Sequence, residues 1–154
     1  MLDDLQLLFM LDTGSVTARR TPVPVREVVE AVVARAPRDT VRIEVSDGLS
    51  ALADRGHLTV MVQKLLSNAL AYADAPVHIR AGQEADTVVL VVQDSGAGIP
   101  EELLPTLFDR FMRGAGLGLF IVRHLIEANG GTVRYERAEP RGARLIVTLE
   151  SAAI

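Results

Sequence analysis

Two glycine-rich stretches carry the most specific chemistry in this sequence. The first, Asp94-Ser95-Gly96-Ala97-Gly98, places a carboxylate and two closely spaced glycines directly after an apolar run. Glycine lets another molecule approach the backbone closely, and a carboxylate accepts hydrogen bonds. The second, Gly114-Ala115-Gly116-Leu117-Gly118, opens a long apolar stretch. If that stretch is a helix, the N–H groups at its beginning can bind an anion such as phosphate. The two loops together indicate a nucleotide site.

A predicted helix from about Asp54 to Tyr72 carries the other polar candidates. Lys64, Asn68 and Ala71 share one side of it, with Tyr72 at the border, because residues three, four and seven apart lie on the same face. Taken alone, Asn68 is more often a solvated or capping residue than a ligand. The buried side of this helix is predicted to consist of Leu58, Met61, Val62, Leu65, Leu66 and Ala69.

The remaining periodicity predicts an α+β fold, with a mixed sheet and helices on one face. Residues 87–93 are mostly β-branched and apolar, which predicts a strand buried on both faces. The prolines of Thr21-Pro22-Val23-Pro24 are predicted to break the chain, and residues 82–86 to turn a hairpin. Further helices are predicted at 2–11, 25–36 and 117–128, and further strands at 41–46, 77–81, 132–136 and 143–149.

Composition excludes several classes of function. The chain has 154 residues, the size of one ordinary domain, and no cysteine, so disulfides and thiolate metal sites are excluded. Its net charge of −4, without a basic stripe interleaved with aromatic residues, argues against a nucleic-acid partner. No run approaches the roughly 18 apolar residues of a membrane span, and the first residues lack the basic flank of a signal peptide. These features predict a cytoplasmic domain that makes no membrane contact itself.

The common nucleotide-binding motifs do not account for these glycines. The sequence has no Gly-x-x-x-x-Gly-Lys-Ser/Thr, which excludes a P-loop. Gly114, Gly116 and Gly118 have the wrong spacing for the dinucleotide-binding fingerprint. A glycine cluster alone is weak support for a nucleotide site, so the identification depends on the other motifs and their order.

Four segments, taken in order, resemble the motifs of the ATP-binding catalytic domain of sensor histidine kinases. This family lies in the GHKL superfamily, which it shares with type II topoisomerases, Hsp90 chaperones and MutL. The resemblance extends from Thr17 to Glu150 and implies the Bergerat ATP-binding fold, a two-layer α/β sandwich. It divides the chain into residues 1–16, similar to the tail of a dimerisation and phosphoacceptor helix, and a catalytic domain at 17–154. The segments are 65–69 with Tyr72 (N box), 94–100 (first glycine box), 108–111 (F box) and 116–119 (second glycine box).

The resemblance also implies a role for each residue of the site. Asp94 would accept a hydrogen bond from the adenine amino group, and Tyr72 would lie against the adenine ring. Asn68 would hold Mg²⁺ through its side-chain oxygen, which suits a hard cation. Arg113 would contact the γ-phosphate, and catalysis would come mainly from positioning and charge neutralisation. The remaining ATP-binding residues would be Gly96, Gly98, Ile99, Phe108, Gly116, Leu117, Gly118 and Leu119.

The sequence departs from the family pattern in three places. Ala71 stands where the family usually has lysine or arginine, so one phosphate contact is missing. Lys64 stands where the hydrolysing relatives carry a general-base glutamate, which argues against a topoisomerase- or chaperone-type ATPase. Its cation could approach a phosphate or the metal, and Lys64 is therefore a catalytic candidate. The segment between Arg113 and Gly116 is shorter than the family's lid, which predicts weak ATP affinity and fast exchange.

None of the histidines fits the family's phosphoacceptor motif. His57, His78 and His124 are each followed by an aliphatic residue instead of an acidic one, and each is interpreted as structural. The predicted function is therefore the ATP-binding half of a histidine kinase. It would transfer the γ-phosphate to a histidine on a separate or missing phosphoacceptor domain, with a response regulator downstream. An anti-sigma-factor-like serine kinase and a degenerate nucleotide-binding or scaffold module remain as alternatives.

Overall fold

The computed structural model describes residues 17–37, 39–72, 76–96, 118–138 and 141–152. The helices in these ranges are α1 (Val25–Val33), α2 (Arg55–Tyr72) and α3 (Gly118–Ala128). The strands are β1 (Thr21–Pro24), β2 (Val41–Val45), β3 (Ser50–Ala53), β4 (Val77–Glu84), β5 (Thr87–Gln93), β6 (Thr132–Arg137) and β7 (Ala143–Glu150).

Five of the strands form a mixed sheet in the order β2-β4-β5-β7-β6. Strands β2 and β4 are parallel, and the other neighbouring strands are antiparallel. The last strand, β7, therefore lies inside the sheet between β5 and β6. The helices cover one face of this sheet, so the predicted α+β sandwich is confirmed. Outside the sheet, β1 and β3 pair as a small antiparallel ribbon.

The prediction that β5 is buried on both faces is wrong. Val88, Leu90 and Val92 are buried on the helix side, whereas Val89 and Val91 on the opposite side are only half-buried. The apolar run still forms a strand because β-branched residues suit a pleated sheet. Its second face is half-exposed because the described helices cover a single face of the sheet.

The prolines at positions 22 and 24 do not break the chain as predicted. They lie in β1, which pairs with β3 from Thr21 opposite Ala53 to Pro24 opposite Ser50. Proline lacks an N–H donor and is tolerated at the edge of a sheet, and β1 is an edge strand of a two-stranded ribbon. The N–H of Val25 then donates to Leu49 C=O at 3.0 Å, which joins the ribbon to the start of α1.

A polar cluster joins the beginning of α2 to the end of α3. Asn129, directly after α3, is fully buried. Its Oδ1 accepts a hydrogen bond from the Asp54 N–H at 2.7 Å, and its Nδ2 donates to Leu125 C=O at 2.7 Å. The same Nδ2 lies 3.1 Å from Nδ1 of His57, in the first turn of α2. Because the two helices also pack against each other, this junction requires them to run antiparallel.

Asp54 caps the N-terminus of α2, which confirms the predicted start of this helix. Its Oδ1 accepts from His57 N–H at 3.1 Å, and its Oδ2 accepts from Arg19 N–H at 2.9 Å. Desolvation by itself would raise the pKa of Asp54, but hydrogen bonds from the Arg19, His57 and Gly56 backbone and the charge of His57 lower it below its ordinary value. Ionised Asp54 therefore stabilises the fold above the pKa of the unfolded carboxyl. This contribution is lost as the pH falls through the lower pKa of the folded state.

The hydroxyl of Tyr135 on β6 is buried without a hydrogen-bond partner among the described residues, while its ring packs against the core. A buried hydroxyl without a partner destabilises a fold by about 1–3 kcal/mol. We therefore expect Tyr135→Phe to leave the free energy of unfolding unchanged or to raise it by about 1 kcal/mol, measured by urea denaturation. As a control, Tyr135→Ala should lower it by about 3 kcal/mol because the ring contacts are lost. A clear loss of stability in Tyr135→Phe would show that the hydroxyl is hydrogen-bonded in solution.

Within the described ranges, no helix combines the length and the apolar character needed to cross a membrane.

Candidate functional site

Asp94 follows β5 directly and is buried, with only 6% of its surface exposed. Its Oδ1 accepts two backbone hydrogen bonds, from Gly96 N–H at 2.9 Å and from Ala143 N–H at 3.2 Å. Its own N–H donates to Ala143 C=O at 2.9 Å. Among the described residues, no donor reaches the second carboxylate oxygen, Oδ2. The fold therefore fixes one oxygen of Asp94 and leaves the other able to accept a hydrogen bond from a ligand.

The connection between β6 and β7 lies directly against this loop. Gly142 has a φ of +116°, and a Cβ atom at this position would lie 2.0 Å from the Asp94 carbonyl oxygen. That separation is far shorter than any non-bonded contact, so the close approach requires glycine. Beside it, Nε of Arg141 donates to Gly96 C=O at 2.9 Å. The loop that carries Asp94 is therefore held from a distant part of the chain.

The end of β5 and the end of α2 lie at the same end of the sandwich. His78, near the start of β4, pairs with Gln93, the residue before Asp94. Only residues 73–76 connect the end of α2 to β4, a connection that spans at most about 18 Å when fully extended. The C-terminal half of α2 is therefore near Asp94.

The beginning of α3 lies at this end as well. Because α2 and α3 are antiparallel and joined through Asn129, the 11 residues of α3 run back along α2 for about 16 Å. Gly118, the first residue of α3, is then about level with the turn between Lys64 and Asn68. The positive N-terminus of α3, the polar side of α2 and the Asp94 carboxylate are thus at one end of the fold.

The predicted site residues fall into two groups. Lys64 and Asn68 are half-buried one turn apart on α2, Gly96 is buried in the Asp94 loop, and Leu119 is buried in the first turn of α3. Tyr72 and Gly118 are placed by their backbone, as the last residue of α2 and the first of α3. Residues 1–16 lie outside the described ranges. The other predicted site residues do so as well, namely Gly98, Ile99, Phe108, Arg113, Gly116 and Leu117.

Sequence reasoning missed three residues that hold the Asp94 loop. Arg141 and Gly142 look in the sequence like an ordinary turn after Pro140, and Ala143 looks like the first residue of a strand. Their contacts reach 45 residues back to Gly96 and 49 residues back to Asp94. The one signal in the sequence is the glycine at position 142. It has no special meaning until the order of the strands is known.

Comparison with known proteins identifies the fold and the family. The family of histidine kinase-, DNA gyrase B- and HSP90-like ATPases matches residues 53–153. The signal transduction histidine-protein kinase AfsQ2 of Streptomyces coelicolor is 31% identical over 153 residues, covering 93% of this chain and 29% of AfsQ2. BaeS of Escherichia coli, also a signal transduction histidine-protein kinase, is 30% identical over 97% of this chain and 36% of BaeS. The chain thus spans about a third of these relatives.

A solved structure agrees with this match. The crystal structure of full-length ShkA in complex with AMPPNP superposes with a TM-score of 0.80 at 27% identity, covering 98% of this chain and 35% of ShkA. The match of the family over residues 53–153 contains α2, the Asp94 loop and the connection at Arg141. The chain therefore belongs to the family of histidine kinase-, DNA gyrase B- and HSP90-like ATPases, and its fold is that of the ATP-binding catalytic domain of sensor histidine kinases.

Proposed function

We propose that this domain binds Mg-ATP and donates the γ-phosphate to a histidine on a phosphoacceptor domain, as the catalytic half of a two-component sensor histidine kinase. The observation that supports the proposal most directly is the orientation of the buried Asp94 carboxylate. One oxygen is held by two backbone N–H groups, and the other has no donor among the described residues. A buried carboxylate oriented in this way fits a ligand that presents an amino group.

Adenine fits this acceptor better than guanine does. The exocyclic amino group of adenine would donate a hydrogen bond to Oδ2 of Asp94. Guanine carries a carbonyl oxygen at the equivalent ring position, and two acceptors would then face each other in a buried site. Hydrogen bonds to charged groups contribute about 1.5–3 kcal/mol, so this contact would favour adenine by a factor of about ten to a hundred. ShkA, a protein of the same fold, is seen with the adenine nucleotide AMPPNP.

The polar side of α2 would serve the phosphate end of the nucleotide. The side-chain oxygen of Asn68 suits Mg²⁺, which prefers oxygen ligands and is usually shared with nucleotide phosphates. The ion would supply charge neutralisation at the phosphates. Lys64 lies one turn away and would add a positive charge, and the N-terminus of α3 at Gly118 would offer backbone donors. Tyr72 would contact the adenine ring.

The proposed partners and cellular location of the domain are inferred from its similarity to sensor histidine kinases. AfsQ2 and BaeS are named signal transduction histidine-protein kinases, and this chain matches only about a third of each. We therefore place the phosphoacceptor histidine on another domain or protein and a response regulator downstream. The domain would work in the cytoplasm, as part of or as a partner to a membrane sensor. Residues 1–16 would be the tail of the dimerisation helix, and Arg113 would contact the γ-phosphate.

The direct test is isothermal titration calorimetry with Mg-ATP and Mg-GTP on the wild type and Asp94→Asn. An asparagine keeps an oxygen that can accept from Gly96 and Ala143, and it turns its NH₂ group toward the ligand. We expect a loss of Mg-ATP affinity of roughly 10- to 100-fold in Asp94→Asn, because two donors would face each other. Relative affinity for Mg-GTP should rise. Asp86→Asn, an exposed carboxylate in the β4–β5 turn at the other end of β5, is the matched control and should bind like the wild type.

Asn68→Ala tests the metal separately. Its affinity for ATP should fall in the presence of Mg²⁺ and should change little when the metal is chelated. A thermal shift provides an independent readout, since a ligand that binds only the folded state stabilises it by about 2.7 kcal/mol at a hundredfold excess over Kd. If the wild type gives neither heat nor a thermal shift at millimolar Mg-ATP, the proposal is wrong for this chain.

A further inference from the structure

Both backbone groups of Gly96, its N–H and its C=O, are hydrogen-bonded to other residues. Its N–H donates to Oδ1 of Asp94 at 2.9 Å. Its C=O accepts from Nε of Arg141 at 2.9 Å. Glycine has the widest conformational range of any residue, so a glycine in a loop changes direction easily unless it is tethered. Contacts on the N–H and the C=O together restrict both backbone torsions of Gly96.

The contact from Arg141 is available because the β6–β7 connection passes so close to the loop. Gly142 brings the backbone of this connection against Asp94 and Ser95, where a Cβ atom would come within 3.0 Å of three backbone atoms. Ala143 then donates to Oδ1 of Asp94 at 3.2 Å. Of these residues, Arg141 is the one that reaches past Asp94 and Ser95 to the carbonyl of Gly96.

We propose that Arg141 is a positioning residue for the adenine-binding carboxylate. By holding Gly96 C=O, it keeps Gly96 N–H directed at Oδ1 of Asp94, and this fixes Oδ2 as the oxygen that faces the ligand. This inference rests on the proposed function, and it assigns Arg141 a part in affinity and base selectivity that requires no contact with the nucleotide. A site that is ordered before binding loses less conformational freedom when the ligand arrives, which raises affinity.

Loss of the Arg141 side chain should weaken nucleotide binding without a general loss of stability. Arg141 is exposed, and among the described residues its hydrogen bond is to one loop carbonyl, that of Gly96, and not to the core or the sheet. Arg141→Ala should therefore unfold at nearly the same temperature as the wild type without nucleotide. Its Kd for Mg-ATP should rise about 3- to 10-fold, the equivalent of one ordinary hydrogen bond. The ratio of ATP affinity to GTP affinity should fall, because Asp94 is less well oriented.

Two further variants separate orientation from charge. Arg141→Lys keeps the positive charge but puts a methylene group where Nε lies, and only Nζ, one bond further out, can still donate. If Arg141→Lys binds Mg-ATP like the wild type while its Gly96 N–H exchanges as fast as in Arg141→Ala, Arg141 acts through its charge on the nucleotide and the inference is wrong. Arg137→Ala is the matched control, since Arg137 is an exposed arginine on β6 of the same hairpin. It should leave Kd and base selectivity unchanged.

Calorimetry combined with amide hydrogen exchange, measured by NMR without nucleotide, tests this role of Arg141. Exchange of the Gly96 N–H should be several-fold faster in Arg141→Ala than in the wild type and in Arg137→Ala. Unchanged Kd, selectivity and exchange in Arg141→Ala, with ATP binding lost in Asp94→Asn, would overturn this inference and leave the proposed function intact. Absence of Mg-ATP binding by the wild type would overturn the proposed function, and the exchange rate of Gly96 would still decide whether Arg141 holds the loop.

Discussion

A single methyl group at position 142 should abolish Mg-ATP binding. In Gly142→Ala, the new Cβ atom would lie 2.0 Å from the carbonyl oxygen and 2.9 Å from the carbonyl carbon of Asp94. Both are backbone atoms, so the clash cannot be relieved by turning a side chain. The Asp94 loop must move away from β7, and Oδ1 of Asp94 then loses the Ala143 N–H. We expect no measurable heat with Mg-ATP by calorimetry, and a free energy of unfolding lowered by about 3 kcal/mol in urea denaturation.

Gly48→Ala is the matched control for this variant. Gly48 also has a positive φ, +72°, but nothing lies within 4 Å of the position that a Cβ atom would take. It should therefore show the conformational cost alone, about 1 kcal/mol, with normal nucleotide binding. Wild-type affinity for Mg-ATP in Gly142→Ala would mean that the β6–β7 connection does not position Asp94.

Asn129→Ala should cause a large loss of stability without direct damage to the nucleotide site. Asn129 is fully buried, and its side chain satisfies the Asp54 N–H, Leu125 C=O and Nδ1 of His57. Truncation removes a hydrogen-bond partner from two half-buried residues, Asp54 and His57, and from the buried Leu125 C=O, which keeps the Asn129 N–H. A buried polar group without a partner costs about 1–3 kcal/mol. Allowing for relaxation, we expect the free energy of unfolding to fall by roughly 3 kcal/mol. Chemical denaturation monitored by circular dichroism measures this directly.

The other asparagine of the chain provides the comparison. Asn68 is only half-buried on α2, so Asn68→Ala should change the free energy of unfolding by less than about 1 kcal/mol. The two variants should thus lose different properties. Asn129→Ala loses stability, and Asn68→Ala loses Mg²⁺-dependent ATP affinity. Equal stability of Asn129→Ala and the wild type would contradict the role assigned to the junction of α2 and α3.

The parts of the fold with a local signal could be predicted from the sequence. The apolar spacing between Leu58 and Ala69 predicted α2, and the β-branched run at 87–93 predicted β5; the structure confirms both helix and strand, and the bounds of β5. The ribbon of β1 and β3 was not predicted. The prolines in β1 are also typical of a chain break, and the paired residues are 26 to 32 positions apart in the sequence. The half-exposed side of β5 was missed for a similar reason, since exposure depends on which face the helices cover.

Some residues of the candidate site could likewise be predicted from local motifs, and others could not. Asp94, Asn68 and the glycines stand in short strings whose order along the chain can be read directly, and their proposed roles stay predictions. Arg141 and Ala143 cannot be found in this way. Their part in the site exists only because β7 pairs with β5, which sets Gln93 opposite Arg144 and brings Ala143 to Asp94. A register between strands some 50 residues apart is not encoded in any local pattern.

The position of β7 also governs when this domain can fold. It is the last of the described strands along the chain, yet it lies between β5 and β6. During synthesis on a ribosome, β2, β4 and β5 emerge first and expose the open edge of β5 until β7 is available. Sheets closed by such distant pairings fold slowly, and an unpaired edge promotes aggregation in the meantime. Since β7 also supplies the Ala143 N–H to Asp94, ATP-binding competence should appear only after β7 has left the ribosome.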